Sequence, residues 1–78
     1  MFENLKKIQQ IKNLLNSEKI EVEKNGLKVI INGKMEIEEI KLNPDLDFKT
    51  QQKILKDCLN EAIKKLQISL AQKMANNF

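Results

Sequence analysis

A helical pattern of apolar residues opens the chain. Apolar side chains recur at intervals of three and four residues, at Leu5, Ile8, Ile11 and Leu15. This spacing is typical of one face of an amphipathic helix. The opposite face is polar and rich in amides, and Asn16-Ser17 can end the helix. The pattern therefore predicts a first helix from Phe2 to about Leu15.

From residue 20 the pattern changes to a period of two, which predicts strands. Residues 20–24 alternate apolar and charged and lead to Asn25-Gly26, the favoured pair for a two-residue type I′ turn. Residues 27–31 form the return strand, and Asn32-Gly33 is predicted to be a second such turn. In a third strand, residues 35–42, the alternation slips at Glu38-Glu39, so we expect a β-bulge there. The prediction is an antiparallel meander with one apolar face.

One long helix is predicted for the rest of the chain. Asn43-Pro44 ends the sheet, and Asp47 is placed to act as the N-cap. No glycine or proline interrupts the residues from there to about Ala75, and one broad side is apolar up to Leu70. The polar Ser69 and Lys73 interrupt the apolar seam. The predicted fold class is therefore α+β, in the order α-β-β-β-α, as one domain over residues 1–78.

The predicted lengths suggest that the helices project beyond the sheet. A helix over residues 48–75 spans roughly 40 Å, whereas strands of five to eight residues span roughly 17–27 Å. The first helix has a similar apolar pattern. We therefore expect it to lie along the long helix, so that the two form an arm.

The small size of the chain favours self-association. A chain of 78 residues buries only about 60% of its unfolded surface. Domains this small usually need a disulfide, a metal or a partner chain. One cysteine and no histidine leave no internal disulfide and no zinc site. We therefore expect a homodimer.

Composition also argues against catalysis. Without histidine there is no Ser-His-Asp or Cys-His arrangement, and no glycine-rich phosphate motif occurs. A fold this small with three phenylalanines as its only aromatic residues is not expected to bind a small-molecule substrate, a cofactor or a metal. The longest aliphatic run, Val29-Ile30-Ile31, is too short for a membrane span or a signal peptide. We expect an intracellular, non-enzymatic protein with no membrane partner.

Charge is distributed unevenly along the chain. Residues 1–19 carry four lysines against two acids, residues 20–47 four against seven, and residues 48–78 six against two, giving net charges of +2, −3 and +4. Basic helices beside an acidic sheet suit a long polyanion held by the helical arms. The alternative is that AT-rich coding bias supplied many surface lysines, which would then form an ordinary solvated face.

Candidate phosphate contacts follow from this pattern. On the long helix, four lysines fall within about 80° of one another at 3.6 residues per turn: Lys49, Lys53, Lys56 and Lys64. Lys65 follows, and Lys6 and Lys7 add charge on the first helix. Gln10 and Asn13 could hydrogen-bond phosphates or base edges, although an amide face of a helix is more often only solvated.

Three segments together resemble the YbaB/EbfC family of nucleoid-associated proteins. Residues 25–33 (NGLKVIING) resemble the family hairpin, residues 40–44 (IKLNP) its strand end, and residues 60–65 (NEAIKK) a segment of its last helix. The resemblance implies a bacterial cytoplasmic protein that dimerises through its sheet and clamps double-stranded DNA between helical arms. On this basis the predicted dimer interface comprises Val29, Ile31, Met35, Ile37 and Ile40.

A different class of function remains open beside this one. The arms could instead grip a partner protein, with the lysines serving solubility. Excess apolar residues at the arm tips, such as Leu70, Met74 and Phe78, would favour that alternative, whereas lysines converging on one cleft would favour DNA.

Overall fold

The chain folds as a helix, three strands and a second helix. The computed structural model describes the backbone of residues 2–77 and the side chains of residues 5–76. The elements are α1 (Phe2–Ser17), β1 (Lys19–Lys24), β2 (Leu27–Asn32), β3 (Ile37–Lys41) and α2 (Phe48–Asn77). The strands form one antiparallel sheet in the order β1-β2-β3. The predicted α+β class and element order are confirmed.

The two turns of the meander differ in type. Asn25 and Gly26 both have positive φ, 51° and 84°, which confirms the type I′ turn between β1 and β2. Between β2 and β3, by contrast, Met35 has positive φ and Gly33 does not. The Asn32 side chain accepts hydrogen bonds from the backbone N–H groups of Lys34 and Glu36. These bonds stabilise a longer loop over residues 33–35, so the predicted two-residue turn at Asn32-Gly33 is wrong.

The predicted bulge lies in β3. Ile30 pairs with Glu39 and Ile31 pairs with Ile37, which leaves Glu38 as the extra residue. The extra residue reverses the alternation of side chains. As a result, Ile37 and Ile40 project from the same face of the sheet.

The core lies between this face and α2. The helix packs across β1 and β2, and the residues that meet there are fully buried: Val22, Val29 and Ile31 from the sheet, and Cys58, Ala62 and Leu66 from the helix. The small side chains of Cys58 and Ala62 let the helix approach closely. Burial of each larger aliphatic side chain contributes roughly 1.5–3 kcal/mol.

The start of α2 is fixed by side-chain hydrogen bonds. The backbone N–H of Thr50 donates to Asp47 Oδ2 at 3.2 Å. Hydrogen bonding first from the Thr50 side chain and then from its backbone N–H lowers the pKa of the Asp47 carboxyl. The predicted N-cap is therefore confirmed. Just before it, the Asn43 side chain donates to the carbonyl of Asn25 and its backbone N–H donates to Gln51. The first bond ties the β3–α2 connection to the first hairpin, and the second ties it to α2.

The helix does not cover the whole apolar face of the sheet. Its contacts are with β1 and β2, and in β3 the side chains of Ile37 and Ile40 remain 50% and 43% exposed. Of the predicted dimer residues, Val29 and Ile31 instead lie in the core beneath α2. Their side chains are therefore unavailable on the surface of the chain.

The first helix packs differently from the prediction. Its main contact is with β2 rather than along α2, and Leu5 and Ile8 are each 61% exposed. The end of α1 also meets the β2–β3 loop, where the backbone of Leu15 approaches Gly33. A Cβ atom added to Gly33 would lie 2.3 Å from the Leu15 carbonyl oxygen. Gly33 is therefore required for this close approach and not for a left-handed turn.

Glu18, the single residue between α1 and β1, connects several elements. Its N–H donates to the carbonyl of Leu14, and its own carbonyl accepts from Gly33 N–H. Its buried carboxylate accepts hydrogen bonds from Ser69 Oγ and Lys73 Nζ of α2. The bond from Lys73 and then that from Ser69 lower the pKa of Glu18 from its usual value of 4.5.

We expect Gly33→Ala to destabilise the fold by about 1–3 kcal/mol, because the new methyl group would push the end of α1 away from β2. Urea unfolding followed by circular dichroism measures the loss. The control is Lys34→Ala, since Lys34 is an exposed neighbour in the same loop. Equal stability of the two variants would contradict the close approach.

The lowered pKa of Glu18 predicts a pH dependence of stability. A carboxyl with a depressed folded-state pKa contributes stability above its unfolded pKa, and that contribution is lost as pH falls through the folded value. Below about pH 4.5 the wild type should therefore lose more stability than Glu18→Gln does. Urea unfolding at several pH values between 2 and 7, with Glu23→Gln as the exposed-carboxylate control, makes the comparison. Parallel curves for wild type and Glu18→Gln would refute it.

Candidate nucleic-acid interface

A stripe of cationic side chains follows the outer face of α2. Its lysines are all exposed: Lys49, Lys53, Lys56 and Lys64. At 3.6 residues per turn, the stripe lies roughly 150° around the helix from the core residues. Asn60 and Gln67 fall within the same stripe. We call these six residues the α2 stripe. Its lysines extend over roughly 22 Å of helix axis.

The lysines of the α2 stripe are not engaged in ion pairs with the described side chains. Among the residues whose side chains are described, none of the four forms a salt bridge. Glu61 is instead paired with Lys24 at 3.3 Å and with Lys65 at 3.8 Å. Of the lysines predicted on α2, Lys65 is therefore partly compensated by a carboxylate.

The predicted residues on α1 form a second polar surface. Lys6, Lys7, Gln10 and Asn13 are all exposed. At helical spacing Lys6, Gln10 and Asn13 fall within about 60° of one another, whereas Lys7 lies about 100° from Lys6. Because α1 does not pack along α2, the two helices present separate surfaces within one chain.

The outer face of the sheet has the opposite character. Lys28 Nζ lies 3.7 Å from Glu39 Oε2 and 3.4 Å from Glu21 Oε1. The pKa of the Lys28 ammonium is raised, first by the charge of Glu39 and then by hydrogen bonding to Glu21. Lys19 pairs with Glu38 at 3.2 Å. Hydrogen bonds from Lys19 and from Asn32 lower the pKa of Glu38. Lys19 and Lys28 of this face are thus matched by acids, which disfavours a polyanion beside them.

Other kinds of site find little support in the described part of the chain. No three His, Cys, Asp or Glu side chains among these residues are grouped to hold a metal ion. Neither described helix has the length and apolarity needed to cross a bilayer. Cys58 is buried in the core, and burial raises the pKa of its thiol, so it is not an activated nucleophile.

Residue patterns alone did not single out the contact between Glu18, Ser69 and Lys73. A signal was present, because Ser69 and Lys73 interrupt the apolar seam of α2 one turn apart. Two polar residues on a core-facing side of a helix require a polar partner. The partner is Glu18, more than fifty residues earlier, and it can be identified only from the folded chain.

Comparison with known proteins agrees with these features. The family model for the YbaB/EbfC DNA-binding family matches residues 1–78. A nucleoid-associated protein of Caldicellulosiruptor saccharolyticus is 37% identical over 65 residues, and one of Caldicellulosiruptor bescii is 38% identical over the same length. Each alignment covers 76% of this chain and 58% of the relative, so the chain spans a little over half the length of these proteins. No solved structure gives a significant match. Because the family model covers every residue, the chain belongs to the YbaB/EbfC DNA-binding family.

Proposed function

We propose that this protein is a non-enzymatic, nucleoid-associated DNA-binding protein of the bacterial cytoplasm. It acts as a homodimer whose basic helices hold double-stranded DNA, chiefly through phosphates. The observation that carries the proposal is the difference between its lysines. Those of the α2 stripe have no carboxylate partner among the described side chains, whereas Lys19 and Lys28 on the sheet are paired.

The dimensions of the α2 stripe fit a duplex backbone. Its lysines extend over roughly 22 Å, about the length of six base pairs at 3.4 Å per nucleotide along one strand. Four unpaired ammonium groups in this length can each neutralise a phosphate and release counterions. The energy gained in this way is independent of sequence.

The type of cation also bears on specificity. All 14 basic residues are lysines, and lysine acts on phosphate as a point charge without the fork of arginine that reads guanine bidentately. Amides at Asn60 and Gln67 of the α2 stripe, and at Gln10 and Asn13 of α1, are available for hydrogen bonds to the backbone. Shape and charge should therefore dominate recognition.

Dimerisation is proposed to use the part of the sheet that α2 leaves uncovered. Ile37 and Ile40 share the core-facing side of the sheet with Ile31 and Val29, their partners in the ladder. Together with Met35 and Leu42 they form an exposed apolar strip along β3, which is also an edge strand. A second copy that covers this strip would add buried apolar area, of which a single chain of this size has little. Val29 and Ile31 would then support the interface from within.

The protein-interaction alternative is less well supported. Of its three tip residues, Leu70 packs against the core, Met74 is half-buried, and Phe78 lies outside the described residues. Besides the strip along β3, exposed apolar residues occur at Leu5 and Ile8 of α1 and at Ile68 of α2. If the wild-type chain fails to bind duplex in the salt series described below, a function with a protein partner and without DNA is favoured.

Duplex binding should depend steeply on salt. If a dimer contacts about six phosphates, log K falls against log salt with a slope near −5. Lys53→Glu combined with Lys56→Glu should weaken binding at least tenfold and flatten the slope, because two phosphate contacts per chain are lost. Fluorescence anisotropy with a random-sequence duplex across a salt series measures both quantities.

The matched control reverses two lysines on the other side of the chain. Lys34→Glu combined with Lys41→Glu changes net charge by the same amount but leaves the α2 stripe intact. A much smaller loss is expected from this pair. Equal losses for both pairs would mean that only net charge matters, and no binding by the wild type at low salt would overturn the proposed function.

Self-association should be sensitive to the exposed strip of β3. Ile40→Asp would bury a charge in the proposed interface and shift the dimer toward monomer, whereas Lys41→Asp places the same charge on the next residue, which faces the other side of the sheet. Size-exclusion chromatography with light scattering distinguishes the two. A wild-type monomer, or a dimer that both variants preserve, would exclude this interface.

A further inference from the structure

We propose that Glu18 is a positioning residue that sets the direction of α1 relative to α2 through Ser69 and Lys73, and thereby arranges the two basic helices for DNA. This inference rests on the proposed function. Glu18 and Lys73 are assigned no contact with DNA. Their effect on binding passes through the orientation of α1.

The geometry at the end of α1 supports this role. Glu18 is 4% exposed and is the one buried charged or polar residue among the described side chains. Its backbone extends the last turn of α1 through Leu14 and bonds to Gly33 of the β2–β3 loop. Its side chain contacts α2 at two positions one turn apart. A single residue thus joins three parts of the fold at the point where α1 leaves the sheet.

Among the residues whose side chains are described, few other contacts hold α1. Leu5 and Ile8 are largely exposed, and the helix packs chiefly where Leu15 meets Gly33. A helix attached at one end pivots about that end. The bonds of Glu18 to Ser69 and Lys73 lie at this pivot, so they limit its movement more than contacts farther along α1 would.

The position of Lys73 separates it from the α2 stripe. At helical spacing Lys73 lies roughly 140° around α2 from the centre of the stripe, and its Nζ is bonded to Glu18. Its charge is therefore already compensated by a carboxylate. A buried carboxylate that loses this partner still bears the cost of its desolvation. Removing either residue therefore breaks the contact between Glu18 and Lys73.

This role makes a prediction whose sign differs from that of a simple charge effect. Glu18→Gln removes a negative charge, which by Coulomb attraction alone would strengthen binding of a polyanion. Lys73→Gln removes a positive charge and would weaken it. If the pair positions α1, both substitutions weaken binding. The affinity of the double variant should then be no lower than that of the single variant with the lower affinity, because the two residues act through one contact.

The binding experiment uses the full chain and a random-sequence duplex at one low salt concentration. Glu18→Gln and Lys73→Gln should each weaken binding, roughly three- to tenfold, and their effects should not add. Glu23→Gln is the control, an exposed acid that should leave affinity unchanged or slightly higher. Stronger binding by Glu18→Gln, or additive effects of opposite sign, would overturn the proposal.

A second measurement tests the positioning without DNA. Spin labels on cysteines at Gln9 and Gln72, both exposed on their helices, report the distance between α1 and α2 in a Cys58→Ala background. Labelled chains are diluted with unlabelled ones so that distances within one chain dominate. The distribution should broaden or shift in Glu18→Gln and in Lys73→Gln while the circular dichroism spectrum is retained.

The two measurements separate the possible failures. An unchanged distance distribution in both variants overturns the positioning role, whatever the affinity. A changed distribution with no duplex binding by the wild type supports the structural role of Glu18 and overturns the proposed function. Broadening accompanied by weaker binding supports both.

Discussion

The packing of α2 across β1 and β2 determines most of what the rest of the chain can do. Cys58, Ala62 and Leu66 meet Val22, Val29 and Ile31 in a fully buried layer. Because these helix residues recur at intervals of four, the rotation of α2 about its axis is fixed. That rotation directs the α2 stripe away from the sheet, and the position of α2 over β1 and β2 leaves β3 without a helix over it. The cationic surface and the exposed apolar strip are thus two consequences of one contact.

Electrostatics then distinguishes the two sides of the molecule. On the sheet, Lys19 and Lys28 lie beside acids, so their charge is largely cancelled at short range. On the outer face of α2 no acid pairs with the stripe lysines among the described side chains. Although the net charge is only +3, the charges are therefore distributed unevenly between the two surfaces. Such a distribution attracts a polyanion to one surface and repels it from another.

The end of α1 shows how tertiary contacts modify a simple amphipathic pattern. The spacing of Leu5, Ile8, Ile11 and Leu15 predicts an apolar face, and the helix forms, yet Leu5 and Ile8 stay exposed. The helix is held at its end by the approach of Leu15 to Gly33 and by Glu18. The sequence predicts Gly33 as a turn residue, whereas in the fold its lack of a side chain permits the close packing of α1.

Local sequence was sufficient for the elements, the Asn25-Gly26 turn, the bulge in β3 and the exposed lysine stripe, because each depends on neighbours within a few residues. It was not sufficient for the longer loop after Asn32, the position of α1, the burial of Val29 and Ile31 or the partner of Ser69 and Lys73. Those depend on which surfaces meet, and the energy of such contacts is shared between residues far apart in the chain. Periodicity predicts that a face is apolar, whereas only the folded chain decides what covers it.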